Sequence, residues 1–203
     1  ILDALLKLRQ VCCDPWLVKG HKMPATMERA KMALLRDMLP ELVAEGRRML
    51  VFSQFTEMLG LIEVELVALE LPFLALTGET PVRTRGAIVR RFQAKEVPIL
   101  LLSLKAGGVG LNLTAADTVI HLDPWWNPAV ERQATDRAHR IGQDQPVFVY
   151  KLVVEGSIEE RMLALQERKA ALAEGVLGSD TAGNVKFSAE DLRGLLAPLS
   201  TLM

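Results

Sequence analysis

Three short, almost uninterrupted apolar runs constrain the fold of this chain more than any other sequence feature. They cover residues 48–53, 99–103 and 118–122, and each has the length of a short β-strand. A strand with one face in water alternates apolar and polar residues, whereas a strand covered on both faces is apolar throughout. Segments with helical periodicity separate the first two runs and follow the third, while a glycine-rich turn separates the second run from the third. The chain is therefore predicted to form a parallel sheet sandwiched between helices.

The rest of the chain completes this α/β pattern. Residues 73–76 and 147–154 are further strand candidates. Helices are predicted by apolar spacing, caps and breakers over residues 1–11, 26–45, 56–70, 80–94, 128–138, 157–173 and 188–196. We expect a three-layer α/β/α fold with a mainly parallel sheet and helical extensions at both ends. Its expected divisions are an N-terminal helical segment (1–45), the α/β domain (46–173), and a linker with a short C-terminal helix (174–203).

Composition excludes several classes of protein. The net charge of -1 provides no overall basic field, so binding to a polyanion would need local clusters of basic residues. No apolar run approaches the roughly 20 residues that span a bilayer. Cys12 and Cys13 are the only cysteines, and adjacent cysteines rarely pair, which favours a reducing compartment. No metal site is predicted. The missing initiator methionine suggests that the chain was excised from a longer one.

A glycine-rich turn follows the apolar run at 99–103. It contains Gly107, Gly108 and Gly110, so main-chain N–H groups there could face an anion without obstruction by side chains. Ligands of open α/β sheets bind beyond the carboxyl ends of the strands, where this turn would lie. For such a motif alone, a tight turn that needs glycine only for its backbone geometry is the favoured alternative. Leu113 occupies the position of the third glycine of a dinucleotide fingerprint, so a typical NAD site is not predicted.

The segment 133–143 is a candidate phosphate-binding helix. Gln133, Arg137 and Arg140 have the spacing i, i+4, i+7, which would place them on one helix face. Two guanidinium groups on one face could each donate a pair of hydrogen bonds to phosphate oxygens. The alternative is a solvated charged face.

Two further features are compatible with nucleic-acid binding. Trp125 and Trp126 are adjacent, so one is expected in the core and the other partly exposed, where an indole could stack on a base. Packing of both tryptophans is an equally weighted alternative. A basic stripe with no intervening acid is expected on one helix, and it suits a phosphate backbone or a solvated surface. It consists of Arg83, Arg85, Arg90, Arg91 and Lys95.

Some motifs are missing from the sequence. It has no Gly-Lys dipeptide and therefore no P-loop, and it has no Asp-Glu dipeptide of the kind found in a DEAH-like metal site. No Ser-His-Asp arrangement or nucleophile elbow is recognisable. The chain thus has candidate phosphate-contacting arginines without a phosphate cradle of its own.

Taken together and in order, these segments resemble the second RecA-like lobe of Swi/Snf-type helicase-like ATPases. Asp14 and Glu79 depart from the usual family pattern. The segments that resemble the family's motifs are residues 8–15, 51–59, 76–92, 103–114, 116–128, 133–143 and 150–161.

The resemblance implies a role for particular residues. ATP with Mg²⁺ would bind between this lobe and a first lobe that provides the P-loop, and this chain would supply no metal ligand. Arg137 and Arg140 would be arginine fingers, with Gly108, Gly110 and Gln133 near the nucleotide. The implied DNA contacts are Ser53, Gln54, Gly78, Arg85, Lys105, Asn112 and Trp126.

The function implied by the resemblance is that of the C-terminal lobe of an ATP-dependent double-stranded-DNA translocase, similar to a chromatin remodeller. Its implied partners are the N-terminal RecA-like lobe of the same polypeptide and duplex DNA, with no membrane. The expected location is the cytoplasm, at the nucleoid in a bacterium, or the nucleus in a eukaryote. Short loops favour a bacterial source. The chain alone should not hydrolyse ATP. The alternative function is a non-catalytic module that binds DNA or protein.

Overall fold

A computed structural model describes residues 1–20, 23–24, 26–106, 110–138, 146–177 and 188–197 of the 203-residue chain. Its strands are β1 (Met49–Ser53), β2 (Phe73–Leu76), β3 (Ile99–Ser103), β4 (Thr118–His121) and β5 (Phe148–Lys151). All neighbouring strands pair in parallel, in the order β2-β3-β1-β4-β5. The three apolar runs predicted to be buried strands form the three inner strands of the sheet.

Helices follow or precede each strand. They are α1 (Leu2–Cys13), α2 (Ala30–Ala44), α3 (Thr56–Ala68), α4 (Val82–Gln93), α5 (Pro128–Thr135), α6 (Ile158–Leu177) and α7 (Ala189–Leu195), with a 3-10 turn at Pro15–Leu17. No helix among the described residues is long and apolar enough to cross a membrane.

The side chains of each inner strand alternate between the two faces of the sheet. On one face, Val51 packs in a cluster with Leu35 of α2 and Ile62 of α3. On the other face, Phe52 packs in a cluster with Phe92 of α4 and with α5. Burial on both faces explains why these strands need an apolar residue at every position. The three-layer α/β/α prediction is confirmed.

The helical extensions pack against the sheet domain and against each other. Leu5 of α1 forms a buried cluster with Ile158 and Met162 of α6 and Leu195 of α7. The first and the last helices of the chain therefore lie together beside the α/β layers.

Several predicted boundaries differ from the structure, and the reasons are local. α4 begins at Val82 with Pro81 as its N-cap, whereas the sequence predicted a helix from Thr80 with Thr80 as the cap. The Thr80 hydroxyl accepts a hydrogen bond from the Thr77 N–H and therefore does not cap the helix. β5 is shorter than the predicted strand over 147–154. α6 continues through Gly175 to Leu177, since one glycine inside a helix costs only about 1 kcal/mol. α5 begins at Pro128, as the Asn127-Pro128 pair predicts, and the Asn127 side chain caps it by accepting a hydrogen bond from the Ala129 N–H.

Candidate functional site at the carboxyl edge of the sheet

The parallel sheet gathers the predicted site residues along one edge. Ser53 is aligned with Ser103, and Phe52 with His121, so the carboxyl ends of β1, β3 and β4 coincide. The loops that leave these ends, together with the loop after β2, contain most of the predicted contact residues. In the described part of the chain, Gln54, Gly78, Lys105, Gly110, Asn112 and Trp126 lie in these loops. Ser53 is the last residue of β1, Arg85 lies on α4, Gln133 lies on α5, and Arg137 lies in the turn after α5.

Arg137 is the most unusual side chain at this edge. It is 7% exposed, yet its Nε and Nη1 atoms have no hydrogen-bond partner among the described residues. Burial lowers the pKa of its guanidinium. A guanidinium has only donors, so these nitrogens suit anionic oxygens brought by another molecule.

The shared helical face predicted for Gln133, Arg137 and Arg140 is wrong for the first two. α5 ends at Thr135, and the chain then tightens into i to i+3 turns, with the Ala138 N–H donating to the Thr135 carbonyl at 3.0 Å. Gln133 is exposed on the helix, while Arg137 turns inward beyond its end. Arg140 and Gly108 lie outside the described residues.

The end of the glycine segment is hydrogen-bonded to α4 and to the turn after α5. Leu113 donates its N–H to the Arg137 carbonyl at 3.1 Å, and Ala115 donates its N–H to Gln93 Oε1 of α4 at 2.8 Å. Gly110 is exposed with a φ of 37°, in the left-handed region that favours glycine. Lys105 and Asn112 are also exposed. A main-chain hydrogen bond therefore holds this segment beside Arg137.

The end of β1 is held by a carboxylate that sequence reasoning missed. Asp123 is fully buried and accepts from the Ser53 hydroxyl at 2.6 Å and from the Gln54 N–H at 3.3 Å. Burial raises the pKa of Asp123, although these hydrogen bonds oppose the shift. Ser53 is itself buried, so its side chain faces Asp123 and not solvent. The predicted DNA contacts of Ser53 and Gln54 remain predictions.

Gly78 and Arg85 lie together in the structure, and their predicted contacts with DNA remain predictions. Arg85 donates Nη2 to the Gly78 carbonyl at 3.2 Å and Nε to the Thr80 carbonyl at 2.9 Å. Its guanidinium therefore orders the turn after β2 beside the exposed Gly78. The other basic residues of the predicted stripe are exposed, and Arg91 pairs with Glu96 at 2.7 Å.

The tryptophans divide between two clusters. Trp125 packs against the cluster around Phe52, and Trp126 packs against the cluster around Leu5. Both are half-buried, so the expectation of one core and one more exposed tryptophan is not met. The predicted contact of Trp126 with DNA remains a prediction.

Two buried cations were also missed from the sequence. Lys31 of α2 donates Nζ to both carboxylate oxygens of Glu159, at 2.7 and 2.8 Å, and to the Leu122 carbonyl at 2.6 Å. Arg9 of α1 donates Nη2 to the Pro124 carbonyl at 2.7 Å. The available signal was position, because Arg9 lies four residues from Leu5 on the buried stripe of α1.

His121 is a neutral, buried group behind the site. Its ring stacks on Phe52 with centroids 5.5 Å apart, and its Nε2 lies 3.1 Å from the Thr135 hydroxyl. Nδ1 has no partner among the described residues. Burial lowers the pKa of His121 from 6.5 to about 4, against the opposing charge of Glu131.

This shift predicts a loss of stability in mild acid. Below pH 6.5 the unfolded chain binds a proton at His121 that the folded chain rejects until about pH 4, so stability falls through that interval. Between pH 7 and pH 5 we expect His121 to remove about 2 kcal/mol of unfolding free energy. Urea unfolding at the two pH values measures it. His121→Leu should lose about 2 kcal/mol less than the parent over this interval; an equal loss contradicts the assignment.

Comparisons with known proteins agree with this geometry. The family model described as the Helicase conserved C-terminal domain matches residues 30–142. An uncharacterised ATP-dependent helicase of Mycoplasma genitalium is 39% identical over 193 residues, covering 95% of this chain and 18% of that protein. The putative ATP-dependent helicase/translocase YwqA of Bacillus subtilis is 40% identical over 184 residues, covering 89% of this chain and 20% of that protein.

A solved structure is similar over almost the whole chain. It is the SWI2/SNF2 ATPase core of Sulfolobus solfataricus in complex with double-stranded DNA. The match has a TM-score of 0.73 at 35% identity and covers 96% of this chain and 41% of the other. This chain spans about a fifth of the length of the two bacterial relatives.

Proposed function

The chain belongs to the Helicase conserved C-terminal domain family, and on that premise we propose that it is the second RecA-like lobe of an ATP-dependent motor on duplex DNA. In this proposal it completes a nucleotide site whose phosphate cradle belongs to the N-terminal RecA-like lobe of the same polypeptide. The similarity to the Swi2/Snf2 ATPase core and to ATP-dependent helicases supports the proposal.

The observation that supports it most is the buried, incompletely bonded guanidinium of Arg137. A buried donor without an acceptor costs about 1–3 kcal/mol, which an incoming phosphate oxygen would recover. During phosphoryl transfer, an arginine at this position stabilises the charge that develops on the transferred group. We assign this role to Arg137, with Arg140 as a second finger and with Gly108, Gly110 and Gln133 near the nucleotide.

ATP is the proposed substrate, and Mg²⁺ would be held mainly by the first lobe. Within the described ranges, no cluster of three or more His, Cys, Asp or Glu side chains is placed to hold a metal ion. The unpaired Nε and Nη1 of Arg137 fit the phosphate end of a nucleotide, because a guanidinium offers only hydrogen-bond donors.

DNA is the proposed second ligand of the same edge. Gly78, Lys105 and Asn112 are exposed there, and Arg85 orders the turn that contains Gly78. Ser53 and Gln54 would meet the phosphate backbone through the loop that Asp123 holds, and Trp126 would lie beside them. Closure of the two lobes on ATP, and their opening after hydrolysis, would move the lobes along the duplex, in the nucleoid or in the nucleus.

The test is ATP hydrolysis with and without duplex DNA. The full polypeptide should hydrolyse ATP faster when duplex DNA is added, and the 203-residue chain alone should show no hydrolysis. Lys105→Ala should raise the duplex concentration needed for half-maximal stimulation and reduce its salt dependence by about one counterion.

Lys7→Ala is the matched control, because Lys7 is an exposed lysine on α1, outside the proposed interface. It should leave the half-maximal duplex concentration unchanged. Hydrolysis by the 203-residue chain alone would contradict the division of the site between two lobes. Duplex binding by the full polypeptide without stimulated hydrolysis would favour the non-catalytic binding module.

A further inference from the structure

We propose that Arg9 and Gln166 are positioning residues that fix Trp126 in the orientation from which it meets DNA. They act on the tryptophan segment, defined here as residues 123–126. The inference rests on the proposed function and adds to it, because that function assigns no role to either residue, and both lie outside residues 30–142, the part of the chain that the family model matches. Helices flanking the conserved domain would thus set its DNA-facing surface.

Arg9 reaches the tryptophan segment from α1. It is 2% exposed, its Nη2 donates to the Pro124 carbonyl at 2.7 Å, and its Cζ lies 4.8 Å from the centroid of the Trp126 ring. Trp126 also packs against the apolar cluster around Leu5. The indole of Trp126 therefore contacts both this guanidinium and that cluster.

Gln166 reaches the same segment from α6. It is 5% exposed, and its Nε2 donates to the carbonyl of Trp125 and, at 3.4 Å, to the carbonyl of Trp126. The Trp125 N–H donates to Glu131 Oε1 at 2.6 Å. The segment belongs to neither a strand nor a helix, so side chains satisfy main-chain groups that secondary structure would otherwise pair.

Stability alone does not explain Arg9. Its Nε has no partner among the described residues, and burial lowers the pKa of its guanidinium despite the nearby carboxylate of Asp123. Replacing a buried charged side chain by an apolar one of similar volume often leaves the free energy of unfolding unchanged or raises it. An apolar side chain would not reproduce the hydrogen bond to the Pro124 carbonyl or the cation–π contact with the Trp126 indole.

The tryptophan segment also connects Arg9 and Gln166 to the loop after β1. Asp123, its first residue, accepts hydrogen bonds from Ser53 and Gln54. A displacement of Arg9 or Gln166 would therefore shift Trp126 and, through Asp123, the neighbouring proposed DNA contacts.

The first test reads the environment of Trp126 directly. The chain has three tryptophans, so Trp16→Phe with Trp125→Phe leaves Trp126 as the only indole emitter. In this background, Arg9→Met should shift the emission to longer wavelength and increase quenching by acrylamide. Gln166→Leu should have the same effect. The matched controls are Lys7→Met and Glu167→Leu, exposed neighbours on the same helices, which should change neither quantity.

Circular dichroism establishes whether each variant is folded. If Arg9→Met does not fold, Arg9→Lys replaces it in the test. Lysine keeps the charge but loses the planar fork, so Arg9→Lys should still alter the emission of Trp126. Unchanged emission in folded variants of both Arg9 and Gln166 would overturn the inference, whatever the ATPase assay shows.

The second test uses the full polypeptide. Arg9→Met should raise the duplex concentration for half-maximal ATPase stimulation by about tenfold, the scale of one lost stacking contact, with a smaller change in the rate at saturating duplex. Altered emission with an unchanged duplex requirement would overturn the link to DNA. Failure of the proposed function itself is distinguishable, because the unsubstituted polypeptide would then show no stimulation by DNA.

Discussion

Replacing Arg137 by alanine in the full polypeptide should lower its DNA-stimulated rate of ATP hydrolysis by about 10³–10⁵-fold, the range found for arginine fingers in other phosphoryl-transfer enzymes. The reason is the geometry after α5, where a buried guanidinium presents nitrogens that no described residue binds. Duplex affinity in the absence of nucleotide should be retained, since Arg137 is not among the proposed DNA contacts. Steady-state hydrolysis and duplex binding, measured on the same preparation, separate the two effects.

Arg132→Ala is the matched control for this prediction. Arg132 is an exposed arginine on α5 and should tolerate the change with nearly normal hydrolysis. Arg137→Lys retains the positive charge but loses the planar guanidinium that donates paired hydrogen bonds, so its rate of ATP hydrolysis should remain strongly reduced. A normal hydrolysis rate in Arg137→Ala would remove the finger role and leave the orphaned guanidinium without an explanation.

Replacing Lys31 by methionine should lower the free energy of unfolding by about 3–5 kcal/mol, as expected when one partner of a buried ion pair is lost. Lys31 Nζ contacts both oxygens of Glu159 and the Leu122 carbonyl, and both side chains are almost fully buried. Methionine has a similar volume, so the decrease in unfolding free energy comes mainly from the Glu159 carboxylate and the Leu122 carbonyl, which lose their partner. Urea unfolding of the chain at pH 7 measures it.

The pH dependence of this variant provides an independent check. Burial already raises the pKa of Glu159 with Lys31 present. Without Lys31 the folded state will bind a proton at Glu159 at still higher pH, while the unfolded state releases it near 4.5. Ionisation then costs folded-state stability as pH rises, so the deficit should be larger at pH 8 than at pH 5.

Arg36→Met provides the control for an exposed pair. Arg36 binds Glu65 at 2.6 Å, but its side chain is 50% exposed, and such pairs are worth about 0–1 kcal/mol. The double variant Lys31→Met with Glu159→Leu should recover most of the loss, because no buried charge is then left alone. A loss in Lys31→Met no larger than that in Arg36→Met would show that water reaches this pair.

Much of the fold was predictable because its signals are local. The run over 99–103 needs no partner to be recognised as a doubly covered strand, and it forms the buried β3. Asn127 followed by Pro128 marks the start of α5 for a similar reason, since a cap acts within one turn. The ends of helices were less predictable where one side chain can form either of two local hydrogen bonds. The Thr80 hydroxyl could cap α4, but it accepts a hydrogen bond from the Thr77 N–H in the preceding turn.

The candidate site was predictable in its composition but not in its geometry. Motif order indicated Arg137, yet periodicity placed it on a helix face that the structure does not form. Ser53 was predicted as a contact residue, and only the fold shows its hydroxyl turned to Asp123. A prediction from helical spacing assumes that the backbone stays helical. The assumption fails for Arg137, because α5 ends at Thr135, before this residue.

The sequence by itself determined the layers, the inner strands, the edge of the sheet that holds the loops, and the family. Only the tertiary structure decided which polar groups are buried together. Arg9 meets Pro124 across 115 positions, and Lys31 meets Glu159 across 128. Apolar burial is non-directional and leaves a periodic trace along the chain, whereas a buried charge is stable only beside one particular distant partner. That pairing depends on the packing of α1, α2 and α6 around the sheet, which no local pattern records.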